Sequence, residues 1–156
     1  MKRVSLVVCL AVTLAGFALA PVTGSARGSK ATQASRQTTV RLEQTGLGGI
    51  LVDASGHTLY LFTRDRHGKD SCAKVSGCLE TWPALTTTNK PIAGAHVRAS
   101  LLGTIRLHGR VKQVTYAGHP LYTYALDFIH NSTFNIGSTE YGGAWYAVSA
   151  AGKPVD

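Results

Sequence analysis

The chain has 156 residues, with 16 Lys and Arg against 8 Asp and Glu, a net charge of +8. That length accommodates one ordinary domain with one core rather than several. The basic balance alone would suit a nucleic-acid binder, but the N-terminus points to export and so against that class.

Lys2 and Arg3 precede an apolar run over residues 4–20 that ends in small side chains, the layout of a secretory signal peptide. Cleavage after Ala26 is favoured, because Pro21 follows the competing site at Ala20. As an uncleaved anchor, the run would extend roughly 25 Å as a helix, short of a hydrocarbon core of about 30 Å. No stable transmembrane segment is therefore expected after cleavage. Cys9 lies inside the run behind Val7 and Val8, an unsuitable place for lipid attachment. Loss of residues 1–26 leaves 14 basic and 8 acidic residues, net +6. Residues 27–39 are rich in Ser, Thr, Gln and Ala and read as a disordered basic linker. Arg27, Lys30, Arg36 and Arg41 cluster at this start of the exported chain. Such a tether would attract anionic envelope polymers or lipid headgroups, or serve equally as a solvated linker with no partner. Residues 40–156 form the expected single domain.

Beyond Cys9, only Cys72 and Cys78 remain. In an oxidising compartment this pair reads as a disulfide closing a small loop, contributing about 2 kcal/mol in the chain-entropy picture. Zinc and thioredoxin-type sites need tighter spacing or a second ligand pair.

The chain repeats itself. Gly56, His57, Leu59, Tyr60 and Asp65 recur 62 positions later as Gly118, His119, Leu121, Tyr122 and Asp127, with Phe62 matched by Tyr124; Trp82 and Trp145 follow 63 apart. A tandem duplication is the reading, over about residues 47–85 and 105–150. Each copy has hairpin grammar. β-rich residues 49–52 lead through the turn-forming Asp53, Ala54, Ser55 and Gly56 to a strand over 57–63, and residues 111–116 lead through Ala117 and Gly118 to a strand over 119–124. Ala117 is a poor residue for a two-residue turn with positive φ at both positions, which leaves a bulged or longer turn open. Pro120 must keep its nitrogen off the ladder. Period-two alternation puts Tyr60, Phe62, Tyr122 and Tyr124 on one face and Leu59, Leu61, Leu121 and Thr123 on the other. Both faces are largely apolar, so the expected fold is all-β: two tandem hairpin repeats packed as a small sandwich or barrel-like domain with one disulfide. Residues 145–149 form a further strand candidate, and residues 97–107 fit a short helical turn or a strand.

The pattern Tyr-x-aromatic-x-x-Asp occurs at Tyr60, Phe62, Asp65 and again at Tyr122, Tyr124, Asp127. It resembles the signature of the bacterial "secreted repeat of unknown function" family, predicted lipoproteins with a Yx(FWY)xxD motif. Residues 49–53, Cys72, Cys78 with Trp82 and Pro83, residues 113–116 and residues 143–148 add matches in order. The resemblance implies an exported bacterial protein and names no activity. The chain departs from the family pattern in its wider cysteine spacing, in His108-Gly109 in place of Asp-Gly, and over residues 128–141, where the family has a Gly- and Asp-rich loop.

Asp65 and Asp127 could pair as cation ligands or as acid and base. Short carboxylates at strand ends also accept backbone N–H bonds in the following turn, and that structural role is the expectation. His57, His67, His96, His108, His119 and His130 open a copper- or zinc-binding alternative. No His/Cys/Met cluster motif accompanies them, and no metal or cofactor is assigned. Ser71 and Lys74 match S-x-x-K only by letter, inside a cysteine-bounded loop. The sequence therefore favours a non-catalytic binding or interaction module of the cell envelope or exterior; the alternative is a metal-binding or enzymatic protein of the periphery.

Overall fold

A computed structural model describes residues 37–156. The expected signal peptide and linker residues 27–36 lie outside the described residues. Within them the chain forms short strands: β1 (Thr39–Thr45), β2 (Gly48–Val52), β3 (Tyr60–Phe62), β4 (Thr86–Thr87), β5 (Ile92–Ala93), β6 (Leu102–His108), β7 (Val111–Tyr116), β8 (His119–Pro120), β9 (Thr139–Glu140), β10 (Gly143–Val148) and β11 (Pro154–Val155), plus one helical turn, α1 (Cys78–Thr81). Residues 97–107 prove to be both things expected of them, a 3₁₀ turn at Ala99–Leu101 and then β6. Thr38 and Thr39, expected in the linker, are held to the domain. The Thr38 carbonyl accepts from Ile92 N at 2.9 Å, and its hydroxyl donates to Thr86 O at 2.7 Å. Arg41, grouped with the basic tether on sequence, lies in β1 and pairs with Glu43 at 3.2 Å.

The strands make three sheets, ordered β2-β1-β5, β11-β10-β3 and β4-β7-β6, with β9 on β10 and β8 on β7. They form no closed barrel. What joins them is the duplicated motif. Tyr60 N donates to Tyr122 O at 2.9 Å and Tyr122 N to Tyr60 O at 3.0 Å, so the two equivalent tyrosines face each other on antiparallel backbone. Outside them the relation continues: Ala147 pairs with Tyr60, and Ala84, which stands 63 positions earlier, pairs with Tyr122. Thr63 N reaches Ala144 O at 3.0 Å as Ala125 N reaches Thr81 O at 2.9 Å. Each copy therefore lends the segment around its tryptophan to the motif strand of the other, about an approximate two-fold axis between Tyr60 and Tyr122.

The period-two faces fall where expected. Leu59, Leu61 and Leu121 join Val40, Leu51, Val114, Tyr116 and Val148 in one core; Tyr60, Phe62 and Tyr122 join Cys72, Cys78, Trp82 and Trp145 in another, with Tyr124 at its edge. Cys72 and Cys78 are disulfide-bonded and fully buried against these rings.

The turns differ. The first is bulged: Gly56 N donates to Asp53 O and Asp53 N to His57 O, with Gly56 at φ +86°, and the Asp53 carboxylate accepts from Ser55 N and His57 N. The second is the tight two-residue turn despite its alanine, with Ala117 at φ +48° and Gly118 at +81° between paired Tyr116 and His119. Leu121 N takes the next bond to Val114 O, which leaves the Pro120 nitrogen off the ladder. The two turn glycines share a second constraint. A Cβ on Gly118 would overlap the His67 ring, and one on Gly56 the His130 ring. Gly56→Ala and Gly118→Ala are each expected to lower stability by about 2 kcal/mol or more, combining positive-φ strain with ring displacement. Gly109→Ala, at φ +52° beside open space, should show the strain alone, about 1 kcal/mol. Urea midpoints check this, and equal losses at all three positions would contradict it.

Candidate functional site

Around the two-fold axis the motif residues build a six-ring cluster. Trp82 and Trp145 lie face to face, centroids 4.0 Å apart and planes at 2°. Tyr60 meets Trp82 edge-on at 5.1 Å, and Tyr122 meets Trp145 the same way at 5.2 Å. Phe62 stacks on Trp145 at 4.1 Å and Tyr124 tilts over Trp82 at 4.8 Å. Offset-stacked and edge-on geometries are those the ring quadrupoles favour, and each pair adds about 0.5–1.5 kcal/mol beyond burial. The copies are not identical here: Trp82 Nε1 donates to Glu140 at 2.7 Å, whereas the buried Trp145 Nε1 has no partner among the described residues.

The motif carboxylates cross between copies. The Tyr122 hydroxyl lies 2.8 Å from Asp65 Oδ2, and the Tyr60 hydroxyl 3.4 Å from Asp127 Oδ2. Burial, followed by the facing carboxylates, pushes both phenols well above the ordinary tyrosine range, so both stay protonated and donate to those carboxylates. Asp65 also accepts from Ser71 N at 2.7 Å, a backbone bond in the loop that follows the motif. Asp127, only 6 % exposed, accepts from Tyr60 of the other copy and, among the described residues, from no backbone N–H.

The first carboxylate is doubled. Asp70 Oδ1 also sits 2.8 Å from the Tyr122 hydroxyl. One phenolic proton is shared between two carboxylates, and the charge of Asp70 adds to what raises Asp65. Burial, against the opposing bonds from Ser71 and Tyr122, raises Asp65 to about 6. Asp70 opens onto a surface cleft of about 520 Å³ that Lys69, Lys74 and Arg106 also line.

The histidines are dispersed. His57 holds Asp53 at 3.2 Å within its own turn, and His130 pairs with Glu43 at 2.8 Å. His119 has its pKa lowered by burial and then by His67 and Lys153. Among the described residues no three His, Cys, Asp or Glu side chains gather as a metal site. Sequence reasoning passed over His67 and His130 as equivalents. They stand 63 apart, the offset of the tryptophans, and one residue inserted after Asp127 hides them from the 62-residue alignment.

The loops after the motifs are held alike yet present opposite surfaces. Gly68 N bonds Gly118 O at 2.8 Å, and Asn131 N bonds Gly56 O at 2.9 Å. The first loop exposes Arg66, His67 and Lys69. The second exposes Leu126, Phe128, Ile129 and Phe134 at 64, 81, 58 and 83 %.

Fold and site together define a disulfide-bonded, duplicated all-β domain whose repeat motif builds a shared aromatic core. Residues 42–86, which carry the first motif and the disulfide, match the family model described as a secreted repeat of unknown function. That family description supports an extracytoplasmic location. No curated protein and no solved structure matches the chain.

The raised pKa of Asp65 gives a pH signature. In the folded protein this carboxyl titrates near 6, against 3.8 ordinarily, so between those values the folded state binds more protons than the unfolded. Stability contributed by Asp65 is then full below about pH 4 and lost as pH rises through about 6. Relative to Asp65→Asn, the parent should lose about 1–2 kcal/mol between pH 4.5 and 7, with allowance for partial exposure. Parallel stability profiles for the two proteins would contradict the shared-proton arrangement.

Proposed function

We propose that the protein is an exported component of the bacterial cell envelope or exterior that works as a non-catalytic interaction module, engaging its partner through the loop after the second motif. One observation carries this reading: the motif groups that could do chemistry are committed to packing the two copies together, while the two equivalent loops differ sharply in what they expose. Tyr60, Phe62, Tyr122 and Asp127 are nine-tenths buried or more, and the motif carboxylates accept from tyrosines of the opposite copy. In this reading Asp65 and Asp127 are structural. The partner-facing residues are Leu126, Phe128, Ile129 and Phe134, since large apolar groups clustered on a surface mark contact sites.

The secreted-repeat match, the signal-like N-terminus and the Cys72–Cys78 bond support export. The expected assignments are separable by substitution. Phe128→Ser/Phe134→Ser should move the protein from the envelope fraction into the medium without lowering its melting temperature. Asp127→Ala should instead lower the melting temperature by several degrees, because it strips the Tyr60 hydroxyl of its partner. Fractionation of expressing cells together with thermal melts of the purified variants checks both. An unaltered distribution of the phenylalanine variant would overturn the reading.

A further inference from the structure

We propose that the outer edge of β6 is an acceptor for an added strand, taken by an extended acidic segment of another protein, at a surface separate from the apolar loop. Val114 N donates to Leu85 O at 2.8 Å, and Val114 O accepts from Leu121 N at 3.0 Å. Both groups of Val114 therefore point away from β6, and Thr104, which faces Val114, turns its own N–H and C=O to the outside. By the same alternation Leu102 and Arg106 do so as well. β6 ends its sheet, and among the described residues no backbone group bonds this outer row. A bare row of donors and acceptors is a template for another strand.

The other copy shows what such an edge takes. Leu59 N donates to Leu51 O at 2.9 Å as Leu121 N does to Val114 O, and Leu42 faces Leu51 as Thr104 faces Val114. β1 is thus the counterpart of β6, 62 positions earlier (104 − 42), with Val40 matching Leu102. The outer edge of β1 is covered. Ile92 N donates to Thr38 O at 2.9 Å and Gly94 N to Val40 O at 2.8 Å, so an extended segment, β5, lies along it in parallel. The segment 62 positions after β5 is β11, and it pairs with β10 instead. β6 keeps the acceptor geometry of β1 without its strand.

Charge selects the occupant. The cleft beside Ile105, Arg106 and Leu107 holds Lys69, Lys74 and Arg106 against one acid, Asp70, whose Oδ1 lies 2.8 Å from the Tyr122 hydroxyl. Among the described residues none of these three cations has a carboxylate within ion-pair distance. Cations along an edge oppose its pairing with a second copy that carries the same excess, and they favour an acidic strand. A segment laid on β6 as β5 lies on β1 runs toward Arg106, so acidic side chains that follow its paired stretch reach the cleft. A polyanion without peptide groups would meet the cations but leave the outward N–H and C=O groups unmatched.

Fluorescence anisotropy with a labelled Thr-Val-Thr-Val-Glu-Glu peptide tests this, together with hydrogen exchange at the Thr104 amide. The peptide should bind and slow that exchange by about tenfold or more, since the amide gains a partner. Replacing both Glu by Gln in the peptide should weaken binding about tenfold, as should Lys69→Glu/Lys74→Glu in the protein. Methylating the peptide's central backbone nitrogens should cost about tenfold or more, a loss that does not depend on altering the protein. Thr104→Pro removes a donor that faces away from β7, where an edge tolerates proline. It should keep the parent's melting temperature and lose about tenfold or more in binding. Undiminished binding by the methylated peptide or by Thr104→Pro would reduce the contact to charge and overturn the added strand. Undiminished binding by the Gln peptide would overturn the acidic partner. Absence of peptide binding would overturn the proposal, and dimers in sedimentation that Thr104→Pro dissolves would then make a second copy the occupant.

Discussion

The two backbone hydrogen bonds exchanged by Tyr60 and Tyr122 are the constraint on which the other features hang. They place equivalent residues of the two copies on an approximate two-fold axis, and everything that recurs in the sequence then meets its counterpart. The tryptophans stack, each tyrosine hydroxyl finds the other copy's aspartate, and each histidine ring covers the other copy's turn glycine. A motif repeated along a chain usually marks units that stack side by side, each contacting its neighbours. Here the copies interlock instead, because the strand after each tryptophan completes the edge of the other copy's motif strand. Past the turn, each motif strand takes its neighbours from the other copy, Tyr60 lying between Tyr122 and Ala147 and Tyr122 between Tyr60 and Ala84, so each copy needs the other to bury its aromatic face.

Much of this was legible in residues. Alternation of Leu59, Tyr60, Leu61 and Phe62 separates two apolar faces because strand side chains alternate strictly, and the two cores follow that separation. Cys72 and Cys78 were readable as a pair because no other cysteine lies beyond the apolar N-terminal run. The interlocking was not legible. Pairing of residues 62 apart is decided by tertiary packing, and nothing local to Tyr60 says that its partner is Tyr122 rather than a strand of its own copy. The tight turn at Ala117 escaped for a related reason: its positive φ is unfavourable locally and is imposed by the strands on either side. The second carboxylate, Asp70, was invisible because it lies outside the repeat and reaches Tyr122 only through the loop that Ser71 ties to Asp65.

The division between frame and surface explains why a shared motif coexists with dissimilar loops. Residues that must satisfy the two-fold relation are fixed in type: aromatic, small at the turn, acidic at the strand end. Residues 66–74 and 128–137 are held at their roots and free beyond them, so one loop can carry Lys69 and Lys74 beside a polar cleft while the other carries Phe128 and Phe134. On the interaction reading we propose, the difference between the copies, rather than their likeness, is where a partner would bind.

The central claim is that the two copies form one cooperative unit, and native-state amide hydrogen exchange addresses it directly. The amides of Tyr60 and Tyr122, with those of Thr63 and Ala125 that cross between copies, should all exchange at the same free energy, equal to that of global unfolding measured by denaturant. Exchange of either copy's set at a free energy well below the global value, while the other stayed protected, would show that the copies open separately and would contradict the interlocked core.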